Sequence, residues 1–241
     1  MNHCREEESR TAILLGCETL EKLHNAHVAV FGVGGVGGHV CEALARAGVG
    51  ALTLVDRDVV SLSNINRQMI ALHSTVGRSK VEVMRERIHD INPDCRVTAI
   101  EAFYLPETAD EIPLEDFDYI VDAVDTVAAK IELAVRGANL GIPVISAMGA
   151  GNKLSASGFV ATDIYRTAGC PLARVMRREL KARGVKSLKV VYSPEPATPP
   201  HPDAPVQTEP GARMPTGSLP FVPGVAGLLL AGEVIRDLCG I

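Results

Sequence analysis

The feature that most constrains this sequence is an apolar run that breaks into glycines at residues 28–38, VAVFGVGGVGG. The run predicts a buried strand, the glycines match G-x-G-x-x-G, and the stretch that follows predicts a helix ending at Gly48. A strand, a glycine turn and a helix in this order direct backbone N–H groups and a positive helix end at one point. Since a Cβ there would hold a phosphate away, the pattern predicts a nucleotide site without specifying the nucleotide.

Strands and helices alternate after this unit. Apolar runs predict strands at 51–55, 96–102, 118–124 and 143–147, and helical patterns at 80–91 and 126–140 lie between them. The alternation predicts a doubly wound, mainly parallel α/β sheet of the Rossmann type, with helices on both faces. We expect one domain over residues 1–241, with a helical arm at 1–27, a nucleotide-binding core at 28–150 and a substrate-side extension at 151–241.

The C-terminal extension has a different pattern. It predicts a strand at 158–164, a helix at 171–183, a strand at 188–192 and an apolar helix at 222–239. Between them, residues 194–220 hold nine of the fifteen prolines and show no periodicity. This composition predicts a flexible loop.

Composition excludes several classes of protein. The net charge of −5 gives no general attraction to nucleic acid, so an RNA contact needs a local basic patch. The six cysteines are dispersed and form no C-x-x-C pair, which argues against a structural zinc site and a disulfide framework. No signal peptide is evident, and the longest apolar stretch is too short to cross a bilayer. We expect a cytoplasmic protein without membrane contact.

Charged residues follow the glycine turn at the positions where ligands bind an open parallel sheet. Asp56 ends the second strand, where an acid meets ribose hydroxyls; the alternative is a solvated strand-end aspartate. Arg67 and Lys80 come next, and two cations beside a phosphate-binding turn favour a triphosphate. The alternative for Lys80 is a solvated residue, although the helix dipole disfavours a cation in a first turn.

Two aspartates, Asp122 and Asp125, flank the end of the strand at 118–124. A carboxylate there can hold Mg²⁺ against phosphate oxygens. The alternative for Asp125 is an N-cap of the helix that follows, and one residue can serve both purposes.

A basic run lies in the extension, with seven cations in the sixteen residues 174–189. Apolar residues of the same helix can face the core and leave the cations outward. The run is either an ordinary solvated face or a contact for an RNA backbone, and the acidic background favours the second interpretation. The candidate contacts are Arg174, Arg177, Arg178 and Lys181.

Several motifs together resemble a known family. GVGGVG, Asp56, SNINRQ at 63–68, Lys80 and DAVD at 122–125 match, in order and spacing, the ThiF-type adenylating domain of ubiquitin-activating-type enzymes over residues 10–149. SRTAILLG at 9–16, ALARAGVG at 43–50 and ERIHDINP at 86–93 are most similar to the tRNA threonylcarbamoyladenosine dehydratase branch. DIYRTAGCPLARVMRRELK at 163–181 and GSLPFVPGVAGL at 217–228 extend the likeness towards the C-terminus.

The resemblance implies an enzyme that uses ATP and Mg²⁺ and releases AMP. The implied reaction is cyclodehydration of N6-threonylcarbamoyladenosine beside the tRNA anticodon, through an acyl adenylate. The resemblance also implies a homodimer, in which Arg10 enters the partner's site as an arginine finger. It implies catalytic roles for Arg67, Lys80 and Asp125, with Asp125 as the metal ligand, and nucleotide contacts from Gly32, Gly34, Gly35, Gly37, Asp56, Asp58, Asn64 and Gln68.

The sequence also departs from the family's pattern. Sulfur-carrier activators have two C-x-x-C pairs and this chain has none, while some dehydratases have a cysteine where RMPTGSLPF stands at 213–221. Cys170 is placed near the expected site, with either a chemical role or that of a buried thiol. A cysteine desulfurase or sulfur-acceptor system is a further candidate partner. Three alternatives remain: adenylation of a ubiquitin-like sulfur carrier, an NAD-dependent oxidoreductase, and an RNA-binding scaffold.

Overall fold

The computed structural model describes residues 5–204 and 216–241. In these ranges the strands are β1 (His27–Phe31), β2 (Ala51–Val55), β3 (Arg96–Ile100), β4 (Tyr119–Asp122), β5 (Val144–Ala147), β6 (Val160–Asp163) and β7 (Lys189–Tyr192). The helices are α1 (Ser9–Leu15), α2 (Cys17–Asn25), α3 (Gly37–Arg46), α4 (Lys80–Ile91), α5 (Val127–Leu140), α6 (Pro171–Ala182) and α7 (Phe221–Cys239).

The strands form one sheet in the order β3-β2-β1-β4-β5-β7-β6. Every neighbouring pair is parallel except β6 and β7, which are antiparallel. The predicted doubly wound, mainly parallel sheet is therefore confirmed. The chain builds outward from β1 in one direction and then, with β4, in the other, so a crevice opens beyond the carboxyl ends of β1 and β4.

Apolar side chains cover both faces of the sheet. Along β1, Val28 and Val30 pack in the core that includes α3, α4 and α7, whereas Ala29 and Phe31 pack in a separate cluster that includes Leu133 of α5. A strand buried on both faces reads as a continuous apolar run, which explains its sequence. Helix α6 buries Met176 and Leu180 in a third cluster, and α4 buries Val81, Met84 and Ile88.

Element boundaries moved by one or two residues in most cases. The helix predicted at 126–140 begins at Val127 and ends against Gly141, whose φ of 73° terminates it. The predicted loop at 194–220 forms neither helix nor strand over 194–204 and 216–220, and its residues 205–215 lie outside the described ranges. Within those ranges no helix has the length and apolarity needed to span a membrane. Cys17 is disulfide-bonded, which the dispersed cysteines did not predict.

Candidate nucleotide site

The glycine turn after β1 contains glycines of two kinds. A Cβ on Gly32 would lie 2.7 Å from the Ala123 carbonyl oxygen, and one on Gly37 would lie 1.8 Å from that of Gly32. These two glycines let the turn pack against itself and against the end of β4. For a Cβ on Gly34, the nearest described atom beyond the two adjacent residues is the Gln68 side-chain nitrogen, which lies 3.8 Å away. Gly34 therefore leaves space for a ligand, and Gly35 lies 3.4 Å, by the same measure, from Pro223 of α7.

This difference predicts opposite effects of alanine at two glycines. We expect Gly37→Ala to destabilise the fold by more than about 2 kcal/mol, because the methyl group overlaps backbone. Gly34→Ala should keep the wild-type unfolding temperature but weaken ATP binding by about tenfold or more, because the methyl group fills the cradle. Thermal unfolding and nucleotide titration of both variants measure these effects. Wild-type ATP affinity in Gly34→Ala would contradict a phosphate position at this turn.

Carboxylates join the turn to the end of β2. The Asp56 carboxylate accepts hydrogen bonds from the backbone N–H of Val33 (2.7 Å) and of Asp58 (2.9 Å). Lys80, with 7% of its side chain exposed, places Nζ 2.7 Å from Asp58 Oδ2 and 4.0 Å from Asp56 Oδ2. Asp56 is 11% exposed at its side chain, so neither Asp56 nor Lys80 is the solvated residue that the alternatives described. Both are held within the cleft wall.

The segment SNINRQ begins in a short 3-10 turn (Leu62–Asn64), and its residues Asn64, Arg67 and Gln68 line the cleft. Asn64 Oδ1 accepts from the Ser61 N–H at 3.0 Å, which closes the turn. The half-buried Arg67 guanidinium donates to the Ser63 carbonyl and to Asn66 Oδ1, both at 2.9 Å. Gln68 is buried, and its Oε1 finds no donor among the described residues. An unsatisfied buried acceptor in a cleft wall indicates that a ligand or water supplies the hydrogen bond.

Asp125 lies on the opposite side of the turn, beyond β4. Its side chain is exposed and lines the cleft. Helix α5 begins at Val127 with Thr126 at the N-cap position, and no side chain among the described residues caps this helix. The alternative role of Asp125 as an N-cap is therefore wrong. Since its closest hydrogen-bond partner is Thr126 Oγ1 at 3.4 Å, the carboxylate is available to a ligand.

A buried charge network under the cleft was missed by the sequence analysis. Lys130 of α5 places Nζ 3.0 and 3.1 Å from the two Asp122 carboxylate oxygens, 3.3 Å from Ser146 Oγ and 2.8 Å from the Ala147 carbonyl. Ser146 also donates to Asp122. The three side chains are at most 1% exposed. A lysine with apolar neighbours on both sides (VAAKI at 127–131), eight residues after an acidic strand end, is the signal that could have revealed it.

The cleft has a volume of about 680 Å³, and Arg57, Phe103 and Tyr104 form one part of its wall. Arg57 stacks 3.8 Å above the Phe103 ring, next to Tyr104, whose buried hydroxyl has no partner among the described residues. Burial raises the pKa of Tyr104 to about 12, so the phenol stays protonated. The loop after β5 and the segments before and after residues 205–215 form a further wall of the cleft, with Gly149, Ala150, Gly151, Lys153, Glu195, Ala197, Thr216 and Ser218.

The start of α6 lies at the rim of the cleft. Cys170 caps this helix, its Sγ accepting from the Ala173 N–H at 3.5 Å, and it is buried beside Pro171 and Leu172. Helix α6 therefore leads from the cleft, and Arg174, Arg178 and Lys181 are exposed along it.

Two of the four predicted tRNA contacts have partners within the chain. Arg177 donates to the Thr167 carbonyl at 2.9 Å and to its hydroxyl, and Arg178 pairs with Glu179 at 2.7 Å. Arg10, exposed on α1, is not among the described residues that line the cleft. The described residues also include no group of three or more acidic, histidine or cysteine side chains that could hold a metal.

The fold and the cleft define a nucleotide-binding protein of the doubly wound α/β class, with cations and carboxylates around a glycine turn. The sequence model of the ThiF family matches residues 8–241, and the chain belongs to that family. It is 45% identical over 239 residues to the tRNA threonylcarbamoyladenosine dehydratase of Bacillus subtilis (strain 168), covering 95% of this chain and 93% of that protein. The enzyme of the same name from Escherichia coli (strain K12) is 40% identical over 178 residues, covering 74% and 66%.

Solved structures agree with these relatives. The crystal structure of E. coli tRNA N6-threonylcarbamoyladenosine dehydratase, TcdA, in complex with ATP superimposes with a TM-score of 0.87 at 33% identity, covering 98% of this chain and 95% of that one. The complex of the same enzyme with AMP gives a TM-score of 0.86 and covers 96% and 93%. The predicted resemblance is confirmed.

Proposed function

We propose that this protein is an ATP-dependent, AMP-forming enzyme that cyclodehydrates N6-threonylcarbamoyladenosine in tRNA. The observation that carries the proposal is the arrangement at the crevice, where a glycine turn with open space at Gly34 faces Lys80, Arg67 and Asp125. An oxidoreductase would need the turn and Asp56 but would leave these three charges without a shared purpose. The names and nucleotide complexes of the relatives support the same activity.

The cleft fits a nucleoside triphosphate. The Gly34 cradle leaves space at the helix end of the turn, and the orphaned Gln68 Oε1 lacks a donor among the described residues. We infer that Gly32, Gly34, Gly35 and Gly37 surround the phosphates, and that Asp56 and Asp58 hold the ribose. Asn64 and Gln68, in the SNINRQ segment beside the turn, complete this set.

The charges around the cradle then set the chemistry. Lys80 and Arg67 neutralise the phosphate chain, which would release Lys80 from its pair with Asp58. Asp125 is our candidate ligand for Mg²⁺, since magnesium binds through one or two carboxylates together with phosphates and water. A single carboxylate is consistent with the described residues and requires no closed protein cage.

The reaction follows from these positions. The carboxylate of the modified base attacks the α-phosphorus, pyrophosphate leaves, and an acyl adenylate forms. The carbamoyl group then attacks the acyl carbon and AMP leaves, so the base loses one water overall. Residues of the chain position the reactants and balance charge, and no side chain needs to form a covalent bond. Cys170 is buried and caps α6, and we assign it no chemical step.

The modified base would enter from the side of the extension at 151–241. Helix α6 starts at the cleft and presents Arg174 and Lys181 outward, where they can contact the phosphate backbone of tRNA. Arg177 supports the start of α6 through Thr167 and acts at most indirectly. Since the proposed substrate is tRNA, we propose that the enzyme acts in the cytoplasm.

The test compares acceptors. Pyrophosphate release is measured with ATP, Mg²⁺ and either tRNA that carries threonylcarbamoyladenosine, unmodified tRNA, or a diglycine-ended sulfur carrier. Release that depends on the modified tRNA supports the proposal. Release that depends on the carrier would instead establish an enzyme that adenylates a sulfur carrier. Tight NADH binding without ATP binding would favour an oxidoreductase, and tRNA binding without AMP release would indicate a scaffold.

The position of Arg10 leads to a prediction about assembly. Arg10 and the apolar Ile13 and Leu14 are exposed on α1, and we propose that this helix docks on a second copy and completes its site. Arg10→Ala and Arg67→Ala should each be inactive, but subunit exchange between them should restore about a quarter of wild-type activity. In such a mixture half of the dimers are mixed, and each has one intact site. No recovery after verified exchange would contradict a role for Arg10 in the partner's site.

A further inference from the structure

The cleft wall formed by the loop after β5 and by the segments before and after residues 205–215 consists of three separate segments, and they meet at one residue, Asn152. Its backbone N–H donates to the Gly217 carbonyl at 2.8 Å, and its side-chain Oδ1 accepts from the Gly217 N–H at 2.7 Å. Its own carbonyl accepts from the Thr198 N–H at 2.7 Å. Asn152, in the loop after β5, therefore holds both the chain after β7 and the chain before α7 in place.

The backbone of Asn152 is also unusual. Its φ is 57°, and among the described residues it is the one non-glycine residue with a positive φ. Asparagine tolerates the left-handed region better than other residues with a side chain. Here that conformation aims the amide group and both backbone polar groups at the two neighbouring segments. Gly151 permits the close approach, since a Cβ there would lie 2.0 Å from Thr216 Cγ2.

Neighbouring contacts reinforce the same junction. Lys153 donates to the Glu195 carbonyl, and the Glu195 carboxylate accepts from the Leu154 N–H at 2.8 Å and the Ser155 N–H at 3.2 Å. Asn66, next to Arg67, donates to the Ser218 carbonyl at 3.0 Å. The wall is thus tied to the loop after β5 and to the SNINRQ segment at the phosphate end of the cleft.

We propose that Asn152 is a positioning residue that holds this wall in place for the tRNA substrate. The inference rests on the proposed function, because it assigns the wall to the side of the modified base. Thr216 and Ser218 line the cleft, so their placement shapes the space left for the base after ATP has bound. Asn152 itself does not need to touch either reactant. Loss of its side chain should impair tRNA use and spare ATP binding.

Three proteins test this role. Asn152→Gly keeps the positive φ and removes the Oδ1 acceptor, whereas Asn152→Asp keeps an acceptor and tolerates the same φ. Steady-state KM is measured for ATP and for modified tRNA, and hydrogen–deuterium exchange is followed in the peptide 216–222. We expect Asn152→Gly to raise the KM for tRNA about tenfold, with the KM for ATP within about twofold of wild type. Exchange at Gly217 should be faster, and Asn152→Asp should restore both properties.

The possible outcomes separate the two claims. Equal rises in both KM values, or no rise for tRNA, would overturn the positioning role, and so would failure of Asn152→Asp to restore it. Should the wild-type protein form no product from tRNA, the proposed function fails independently. The exchange experiment needs no substrate. Unchanged exchange in Asn152→Gly would overturn the role of Asn152 in holding the wall, independently of which reaction the protein catalyses.

Discussion

Replacement of Asp125 with alanine should lower the rate of AMP formation by at least about 100-fold and leave the free energy of unfolding unchanged. The carboxylate is exposed, lies in the cleft beyond β4 and does not cap α5. Its removal therefore costs the fold no buried contact. In the reaction it loses the group proposed to hold Mg²⁺ against the phosphates, where charge builds as pyrophosphate leaves.

The measurement is a single-turnover assay of AMP formation at saturating ATP and modified tRNA, with urea unfolding of the same preparations. Asp90→Ala is the matched control, because Asp90 is an exposed aspartate at the end of α4 outside the cleft. The control should retain wild-type turnover. AMP formation in Asp125→Ala within a few-fold of wild type would contradict the assignment of Asp125 to the reaction.

Replacement of Lys130 with methionine should destabilise the protein by about 3–5 kcal/mol, because it leaves the buried Asp122 carboxylate without its cation. Lys130 and Asp122 are 1% and 0% exposed, so water cannot substitute for the lost partner. The same lysine joins α5 to the ends of β4 and β5 through Asp122, Ser146 and the Ala147 carbonyl. Its loss should therefore loosen the floor of the cleft as well.

Urea unfolding measures this effect, with Lys181→Met as the control for removing a lysine from a helix. Lys181 is exposed near the end of α6, and its replacement should change stability by no more than about 0.5 kcal/mol. Adding Asp122→Asn to Lys130→Met should recover part of the loss, since it removes the unpaired charge. A single Lys130→Met variant within about 1 kcal/mol of wild type would show that the ion pair does not support the fold.

Local sequence patterns were sufficient to predict most of the helices and strands. The apolar runs at β1 and β2 and the 3.6-residue periodicity of α4 report directly on burial, so these elements appeared where predicted. The glycine motif also predicted the turn. It did not separate Gly37, which the backbone requires, from Gly34, which leaves space for a ligand, because that difference depends on the distance to β4 and to the turn itself.

The rest of the site depends on contacts between distant segments. Asp122, Lys130 and Ser146 come together only when α5 packs across β4 and β5. The role of Asn152 depends on its hydrogen bonds with Thr198 and Gly217, which lie 46 and 65 residues further along the chain. Neither arrangement has a fixed spacing in the sequence. The N-cap alternative for Asp125 failed for a local reason, because α5 starts one residue later than an Asp125 cap requires.

The most direct test of the account is mass spectrometry of the nucleosides after the protein has acted on tRNA. The protein is incubated with ATP, Mg²⁺ and total tRNA that carries N6-threonylcarbamoyladenosine, and a parallel sample omits ATP. We predict that the modified adenosine loses the mass of one water only when ATP is present, with one AMP formed for each base converted. Unchanged nucleosides in a sample where the protein has bound both ATP and tRNA would contradict the proposed reaction.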